Sequence, residues 1–232
     1  MPFENVRLYV SSEAGLRYLK PRIDGVDSSL LRVAADHVRP GDVVWDIGAN
    51  IGLFAMSAAA RAGATGHVVA VDADTWNVDM LRRSAQAQPS SSAKIDIVPA
   101  AVSDKVGFAS FNIAKRNRAT NSLEGFGSSQ SGGVRETQTV PTVTLDSLVE
   151  HFPIPDMVKI DVEGAELLVL EGGSKVLNNH PTLHCEVSER NASAVQRLLN
   201  DFGYTLFDAD DTPPRMPVQG ELPFNVLAVH IN

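Results

Sequence analysis

The chain has 232 residues, 44% of them hydrophobic, which is enough for one well-buried domain but cramped for two. Its formal net charge of −8, without an evident basic face, argues against binding a nucleic-acid backbone, so we expect a small polar molecule or a glycan as substrate. A single cysteine, Cys185, excludes an internal disulfide and a zinc cluster, and no apolar run approaches the roughly 18 to 20 residues of a membrane span, so we expect a cytoplasmic protein that does not bind a membrane.

Predicted strands and helices alternate along most of the chain. The first helix begins at Asp27 or Ser28 and ends at Val38, just before Pro40 and Gly41. Alternation of this kind predicts an α/β fold with a mainly parallel sheet, right-handed crossovers and helices on both faces. The further helices begin at Leu53 and lie near 75–86, 165–178 and 191–202, and the strands are 43–47, 68–72, 95–98, 157–160, 183–187, 204–207 and 225–230.

The alternation breaks between the third and fourth strands. Residues 107–111 and 137–143 have the pattern of an inserted antiparallel hairpin, and the stretch 115–136 between them is rich in serine and glycine. A loop of that length in a compact domain is either a lid or disordered, and we expect a substrate lid. The basic residues between 115 and 118 either meet an anionic group of the substrate or form a solvated hairpin end.

These patterns divide the chain into two parts. Residues 1–40 form an N-terminal segment and a helix that packs on the core. Residues 41–232 form a single domain, in which 106–143 is the inserted hairpin and lid.

A glycine-punctuated turn follows the first strand, in the run VVWDIGANIG at 43–52. Such a turn between a buried strand and a helix N-terminus is typical of a nucleotide-cofactor site. The dinucleotide pattern G-x-G-x-x-G fails because Asn50 and Leu53 stand where glycines are needed, and no P-loop sequence is present. An acidic residue before the turn suits a cofactor with an ammonium and a sulfonium, and Asp72 at the end of the second strand can accept both ribose hydroxyls. We assign cofactor contacts to Asp46, Gly48, Asn50, Gly52 and Asp72.

At these residues the sequence resembles the class I S-adenosylmethionine-dependent methyltransferases, and six stretches in chain order resemble their FkbM-type family. The stretches are VWDIGANIG at 44–52, AAVSDKVG at 100–107, VTLDSL at 143–148, VKIDVEGAE at 158–166, PTLHCE at 181–186 and NVLAV at 225–229. The resemblance implies a Rossmann-like, seven-stranded sheet whose last strand is antiparallel, with S-adenosylmethionine as cofactor. It also implies methyl transfer to a hydroxyl of a sugar or secondary metabolite.

Ligands of such sheets bind beyond the carboxyl ends of the strands, so the residues that follow several strands should converge on the cofactor. After the third strand, we expect the backbone of Ala100 and Ala101 to pass the adenine. After the fourth strand, Asp161 and Glu163 project to the same side as Lys159, because strand side chains alternate. We assign Asp161 and Glu163 to the cofactor site, with capping of the following helix as the alternative. Lys159 either belongs to the site or pairs with one carboxylate.

Methylation of a hydroxyl requires a group that takes its proton. The candidates are, in order, Asp161, Glu186 and His184, of which the last two share one face of the fifth strand. Alternatively, His184 is not catalytic but a buried core residue whose hydrogen bonds are satisfied within the protein. Asp161 and Glu186 are oxygen ligands of the kind that Mg²⁺ prefers. Two carboxylates on neighbouring strands are a weak signal, however, and we predict no metal.

Two functions of other classes remain open from the sequence. The failed glycine pattern disfavours a nicotinamide-dependent oxidoreductase. A non-catalytic cofactor-binding domain is harder to exclude, because an intact cofactor loop does not prove a working acceptor pocket. Amino methyltransferases of nucleic acids would have an Asn/Asp-Pro-Pro-aromatic tetrad after the fourth strand, where this chain has Asp161-Val162-Glu163-Gly164. The oligomeric state does not follow from the sequence.

Overall fold

The computed structural model describes residues 3, 5–14, 28–127 and 131–231. Parts of the predictions lie outside these residues, namely positions 1, 2, 4 and 15–27 of the N-terminal segment, with Asp27 as a cap of the first helix, and positions 128–130 of the lid. The strands are β1 Val43–Ile47, β2 His67–Asp72, β3 Lys94–Pro99, β4 Ala101–Val102, β5 Gly107–Ala114, β6 Ser122–Leu123, β7 Val134–Val143, β8 Met157–Ile160, β9 Thr182–Glu186, β10 Tyr204–Asp208 and β11 Asn225–His230.

Seven of these strands form one sheet in the order β10-β11-β9-β8-β1-β2-β3. The pairs from β9 to β3 are all parallel, whereas β11 is antiparallel to both β9 and β10. All four residues of the central strand β8 are buried, as expected for a parallel strand covered on both faces. The prediction of a mainly parallel seven-stranded sheet with an antiparallel last strand is confirmed.

Helices cover both faces of this sheet. The helices are α1 Ser28–His37, α2 Leu53–Ala62, α3 Thr75–Gln86, α4 Leu145–Leu148, α5 Glu166–Glu171, α6 Ser174–Leu177 and α7 Ala192–Asp201. The apolar sides of α1, α2 and α3 form one core cluster, and those of α4 to α7 form a second cluster on the opposite face. Among the described residues, no helix is both long and apolar enough to cross a membrane.

The insertion forms a small second sheet in the order β4-β7-β5-β6. Strands β5 and β7 pair antiparallel from Gly107 and Thr142 onward, which confirms the inserted hairpin. Phe111 and Ile113 of β5 are buried in a third apolar cluster with Ala73 and Ala165, which follow β2 and β8. The insertion therefore packs against the carboxyl edge of the main sheet.

The single helix predicted over 165–178 is wrong, because α5 and α6 are separated at Gly172 and Gly173. A Cβ atom on Gly172 would lie 2.3 Å from the carbonyl oxygen of Ser103, and one on Gly173 would lie 2.7 Å from Leu145. The carbonyl oxygen of Gly172 accepts a hydrogen bond from the Asp146 N–H at 3.0 Å, and the Asp146 carboxylate accepts the first N–H groups of α6. Close backbone packing thus replaces one helix by two short ones.

We predict that Gly172→Ala lowers the free energy of unfolding by about 1–3 kcal/mol, because the new methyl group overlaps the backbone at Ser103. Urea denaturation measures the change. Gly107→Ala is the matched control, since a Cβ atom there would lie 3.8 Å from its nearest neighbour, Thr142, and its effect should stay within about 0.5 kcal/mol. Equal losses in the two variants would contradict this explanation of the helix break.

Candidate cofactor and acceptor site

A cavity of about 590 Å³ lies beyond the carboxyl ends of β1, β2, β8 and β9. Three of the predicted site residues, Asp46, Gly52 and His184, are not among its lining residues. Residues that were not predicted for the site line it as well, among them Asn77, Asn121 and Phe224. The predicted residues that line it are Gly48, Asn50, Asp72, Ala100, Ala101, Asp161, Glu163 and Glu186.

The loop after β1 folds tightly against the ends of the neighbouring strands. Gly48, Asn50 and Gly52 all have positive φ angles, of 77°, 52° and 96°. A Cβ atom on Gly48 would lie 1.8 Å from the carbonyl oxygen of Asp161, so only glycine fits there. A Cβ atom on Gly52 would instead meet Leu81 at 2.7 Å, inside the core. Gly48 therefore shapes the cavity wall, whereas Gly52 permits the turn into α2.

Asp72 is held by three protein donors. Its Oδ2 accepts the N–H of Asn50 at 2.7 Å, and its Oδ1 accepts the N–H of Asp74 at 2.9 Å and the side-chain amide of Asn77 at 3.2 Å. Burial raises the pKa of Asp72 to about 7, against the opposing effect of these donors. The cap of α3 is Asp74, whose side chain accepts the Trp76 N–H, so Asp72 is not needed as the cap of that helix.

Lys159 lies at the centre of the sheet between two carboxylates. Its Nζ is 3.2 Å from Asp46 and 3.4 Å from Asp161, and it donates a hydrogen bond to the carbonyl oxygen of Gly48 at 3.0 Å. Burial acts to lower the pKa of Lys159, but the two carboxylates outweigh it and the pKa is raised. The ammonium thus has two ion pairs and one hydrogen bond, so Lys159 pairs with carboxylates rather than offering a free charge.

Asp46 and His184 are enclosed by the sheet and its helices. Asp46 is fully buried and pairs with Lys159, so the structure does not bring it to the cavity as the sequence predicted. His184 is 4% exposed, and its partner in the β8–β9 register is Lys159, one step back from the strand end. Burial, reinforced by the charge of Lys159, lowers the pKa of His184 to about 4. His184 is thus neutral and does not line the cavity, whereas Glu186, two residues on, lines it.

Arg118 holds the described part of the predicted lid against the wall of the cavity. Its guanidinium is 2.5 Å from the buried carboxylate of Asp74 and 3.2 Å from Glu13, and it lies over the Trp76 ring. Asn121 donates a further hydrogen bond to Asp74 at 2.8 Å. Arg118 is therefore neither a solvated hairpin end nor a free cation. No local sequence pattern indicates this contact, because the acidic partners lie 44 and 105 residues away along the chain.

A second depression, of about 310 Å³, adjoins the cavity and shares Asp161, Glu163, Glu186 and Phe224 with it. Glu166 also lines it, but this carboxylate accepts hydrogen bonds from Ser188 and Asn191, so its role is structural. The described residues contain no group of three or more His, Cys, Asp or Glu side chains arranged to hold a metal ion.

We predict that Lys159→Met lowers the free energy of unfolding by about 3–5 kcal/mol, because it leaves the charge of Asp46 buried without a partner. Adding Asp46→Asn removes that charge, so the double variant should be more stable than the sum of the two single effects implies. Chemical denaturation of the four proteins measures the coupling. Strictly additive effects would show that the two side chains do not depend on each other.

The sequence was then compared with known proteins. Among curated proteins, the hexuronic acid methyltransferase AglP of Haloferax volcanii is 28% identical over 155 residues. The match covers 66% of this chain and 59% of AglP, so the chain spans less than two thirds of that relative. Among solved structures, a precorrin-6y C5,15-methyltransferase from Geobacter metallireducens has a TM-score of 0.47 at 13% identity, over 96% of this chain and 93% of that one. For TrmN from Thermus thermophilus the TM-score is 0.47 at 16% identity, over 92% and 51%.

The family assignment comes from a match that covers most of the chain. Residues 46–208 match the family described as the methyltransferase FkbM domain. The matched range begins at Asp46, before the cofactor loop, and ends at Asp208, the last residue of β10, so it contains the loop, the insertion and the ends of β8 and β9. This chain belongs to the FkbM family of methyltransferases.

Proposed function

We propose that this protein transfers a methyl group from S-adenosylmethionine to a hydroxyl group of a small, sugar-like acceptor. The observation that carries the proposal is the layout of the 590 Å³ cavity. Gly48, Asn50 and Asp72 line it, and three carboxylates, Asp161, Glu163 and Glu186, line the part that adjoins the second depression, which is the proposed acceptor end. A cofactor held by the glycine turn and Asp72 would therefore lie beside groups that can hold and deprotonate a hydroxyl.

The charges around the cavity fit a cationic cofactor. Lys159 and Arg118 line it too, but each is already paired with two carboxylates. The surplus of carboxylates suits the sulfonium and ammonium of S-adenosylmethionine. The loop also offers a buried side-chain oxygen, Oδ1 of Asn50, which has no hydrogen-bond partner among the described residues. Such an orphaned acceptor fits a ligand with N–H or O–H donors.

Asp72 would bind the ribose, the loop from Gly48 to Asn50 would hold the amino-acid end, and the backbone at Ala100 and Ala101 would flank the adenine. When bound, S-adenosylmethionine supplies the methyl group, whose bond to sulfur breaks as its bond to the acceptor oxygen forms. Asp161 accepts the hydroxyl proton in this proposal, with Glu186 as the second candidate. Lys159, 3.4 Å from Asp161, fixes the position of that carboxylate. The insertion covers the site and limits access of water.

A sugar is the acceptor class that we propose. AglP is named as a hexuronic acid methyltransferase, and this supports a sugar hydroxyl rather than an aromatic one. The carboxylates at the acceptor end are suited to accepting hydrogen bonds from several hydroxyls at once. The exposed ring of Phe224, beside them, offers an apolar surface for one face of a sugar ring.

Cofactor binding should weaken as the pH falls through about 7. Ribose hydroxyls donate to the ionised form of Asp72, whose pKa is raised to about 7, so protonation competes with the ligand. We expect calorimetry with S-adenosylhomocysteine to give an affinity about tenfold lower at pH 6 than at pH 8. Asp72→Asn should bind more weakly and without this pH dependence, and NAD⁺ should not bind to either protein. Binding of NAD⁺ alone by the folded protein would refute the choice of cofactor.

Methyl transfer from labelled S-adenosylmethionine tests the reaction itself. We expect a neutral glycoside or a hexuronic acid to accept the label, and a catechol not to. Asp161→Asn should lower kcat by roughly 10² to 10⁴, a larger factor than its effect on cofactor affinity, because it removes the proton acceptor. Glu171→Gln, on the exposed side of α5, is the control and should leave kcat unchanged. Tight cofactor binding without transfer to any acceptor would instead support a non-catalytic binding domain.

A further inference from the structure

An apolar patch lines the cavity where the insertion meets the carboxyl edge of the main sheet. It consists of five members of the third apolar cluster, of which those from the sheet are small and those from the insertion are large: Ala73, Ala101 and Ala165, and Phe111 and Leu123. Ala73 directly follows Asp72, so the patch adjoins the proposed ribose partner. Apolar walls of this kind suit a flat purine ring, whose orientation must then be set by a few polar groups at its edge.

The chain segment that passes the proposed adenine position has no polar side chain. The residues from the end of β3 through β4 are Pro99, Ala100, Ala101 and Val102. The main-chain N–H of Ala100 is already used, because it donates to the carbonyl oxygen of Val98 at 3.1 Å. A side-chain hydrogen bond to the base therefore has to come from another wall, and residues 117–121 of the insertion form one.

Asn117 has an unused amide nitrogen on that wall. It lines the cavity and precedes Arg118, whose ion pair with Asp74 holds this part of the insertion beside the end of β2. Its Oδ1 accepts the Ala119 N–H at 2.6 Å, and because a main-chain N–H can only donate, this contact fixes which end of the amide is the oxygen. Its Nδ2 donates to none of the described residues and is not enclosed by protein atoms, so a ligand in the cavity can reach it.

The other polar side chains between 117 and 121 already donate to protein acceptors. Arg118 is paired with Asp74, and Asn121 donates to the same carboxylate at 2.8 Å. Thr120 donates to the carbonyl oxygen of Asn117 at 3.0 Å. Asn117 is thus the residue of this wall whose side-chain donor is left for a ligand.

We propose that the amide nitrogen of Asn117 donates a hydrogen bond to a ring nitrogen of adenine, so that the insertion reads the base of the cofactor. This assignment rests on the proposed function, since it takes an adenosine cofactor as the ligand. Adenine carries three unprotonated ring nitrogens at its edges, N1, N3 and N7, and each can accept from an amide. A base with a hydrogen at the contacted position would leave the Asn117 donor without an acceptor, which disfavours its binding.

Calorimetry with S-adenosylhomocysteine and its 1-deaza, 3-deaza and 7-deaza analogues tests the assignment, because each analogue replaces one ring nitrogen by C–H. The wild-type protein should bind at least one analogue about tenfold more weakly than the parent compound. Asn117→Asp keeps an oxygen for the Ala119 N–H but removes the donor, so it should bind the parent about tenfold more weakly and lose the discrimination against that analogue. Asn112→Asp is the matched control, because it makes the same change in the insertion at a residue that does not line the cavity, and it should keep the parent affinity and every ratio.

Two outcomes would overturn the assignment: equal binding of all four ligands by the wild-type protein, or unchanged ratios in Asn117→Asp. Asn117→Ser, which keeps a capping oxygen without the amide, gives the same comparison if Asn117→Asp does not fold, as judged by thermal unfolding, or binds too weakly to measure. A folded wild-type protein that binds none of the four ligands refutes the proposed function itself. Binding of the parent with ratios that Asn117→Asp retains refutes the Asn117 assignment alone.

Discussion

The buried ammonium of Lys159 is the interaction on which the rest of the site depends. It joins the two central strands through Asp46, holds the carboxylate of Asp161 at the strand end, and binds the carbonyl oxygen of Gly48 in the cofactor loop. A charge in the middle of a sheet is costly unless it is paired, and here two carboxylates and one carbonyl oxygen lie within 3.4 Å of the ammonium nitrogen. One side chain thereby fixes the position of the cofactor loop relative to the proposed proton acceptor.

A second ion pair, between Arg118 and the buried carboxylate of Asp74, holds the insertion against the cavity. Asp74 also caps α3, and Glu13 of the N-terminal segment makes a second ion pair with Arg118. Both lining cations, Lys159 and Arg118, therefore have structural roles. Four carboxylates line the cavity against these two cations, and this formal negative charge agrees with a cationic cofactor and not with a pyrophosphate.

Local sequence patterns predicted the sheet because each strand is a short apolar run with clear ends. The bounds of β1, β8 and β11 agree with the prediction to the residue.

The break between α5 and α6 was missed because the apolar spacing continues across Gly172, and only contact with Ser103 requires the interruption. Asp46 was assigned to the cavity because it precedes the loop, but its burial depends on Lys159, a partner 113 residues away. Asn77 was not singled out because an asparagine inside a helix has no local signal of function.

The two parts of the proposed site are constrained in different ways. Around the proposed cofactor residues the constraints are largely on the backbone: a side chain on Gly48 would collide with the carbonyl oxygen of Asp161, and Asp72 is fixed by main-chain N–H groups. At the proposed acceptor end the wall consists of side chains after β8 and β9, together with Phe224 before β11. Backbone packing leaves little freedom to change the cofactor, whereas single substitutions can reshape the acceptor pocket without disturbing the sheet. Family membership is therefore a stronger guide to the methyl donor than to the acceptor.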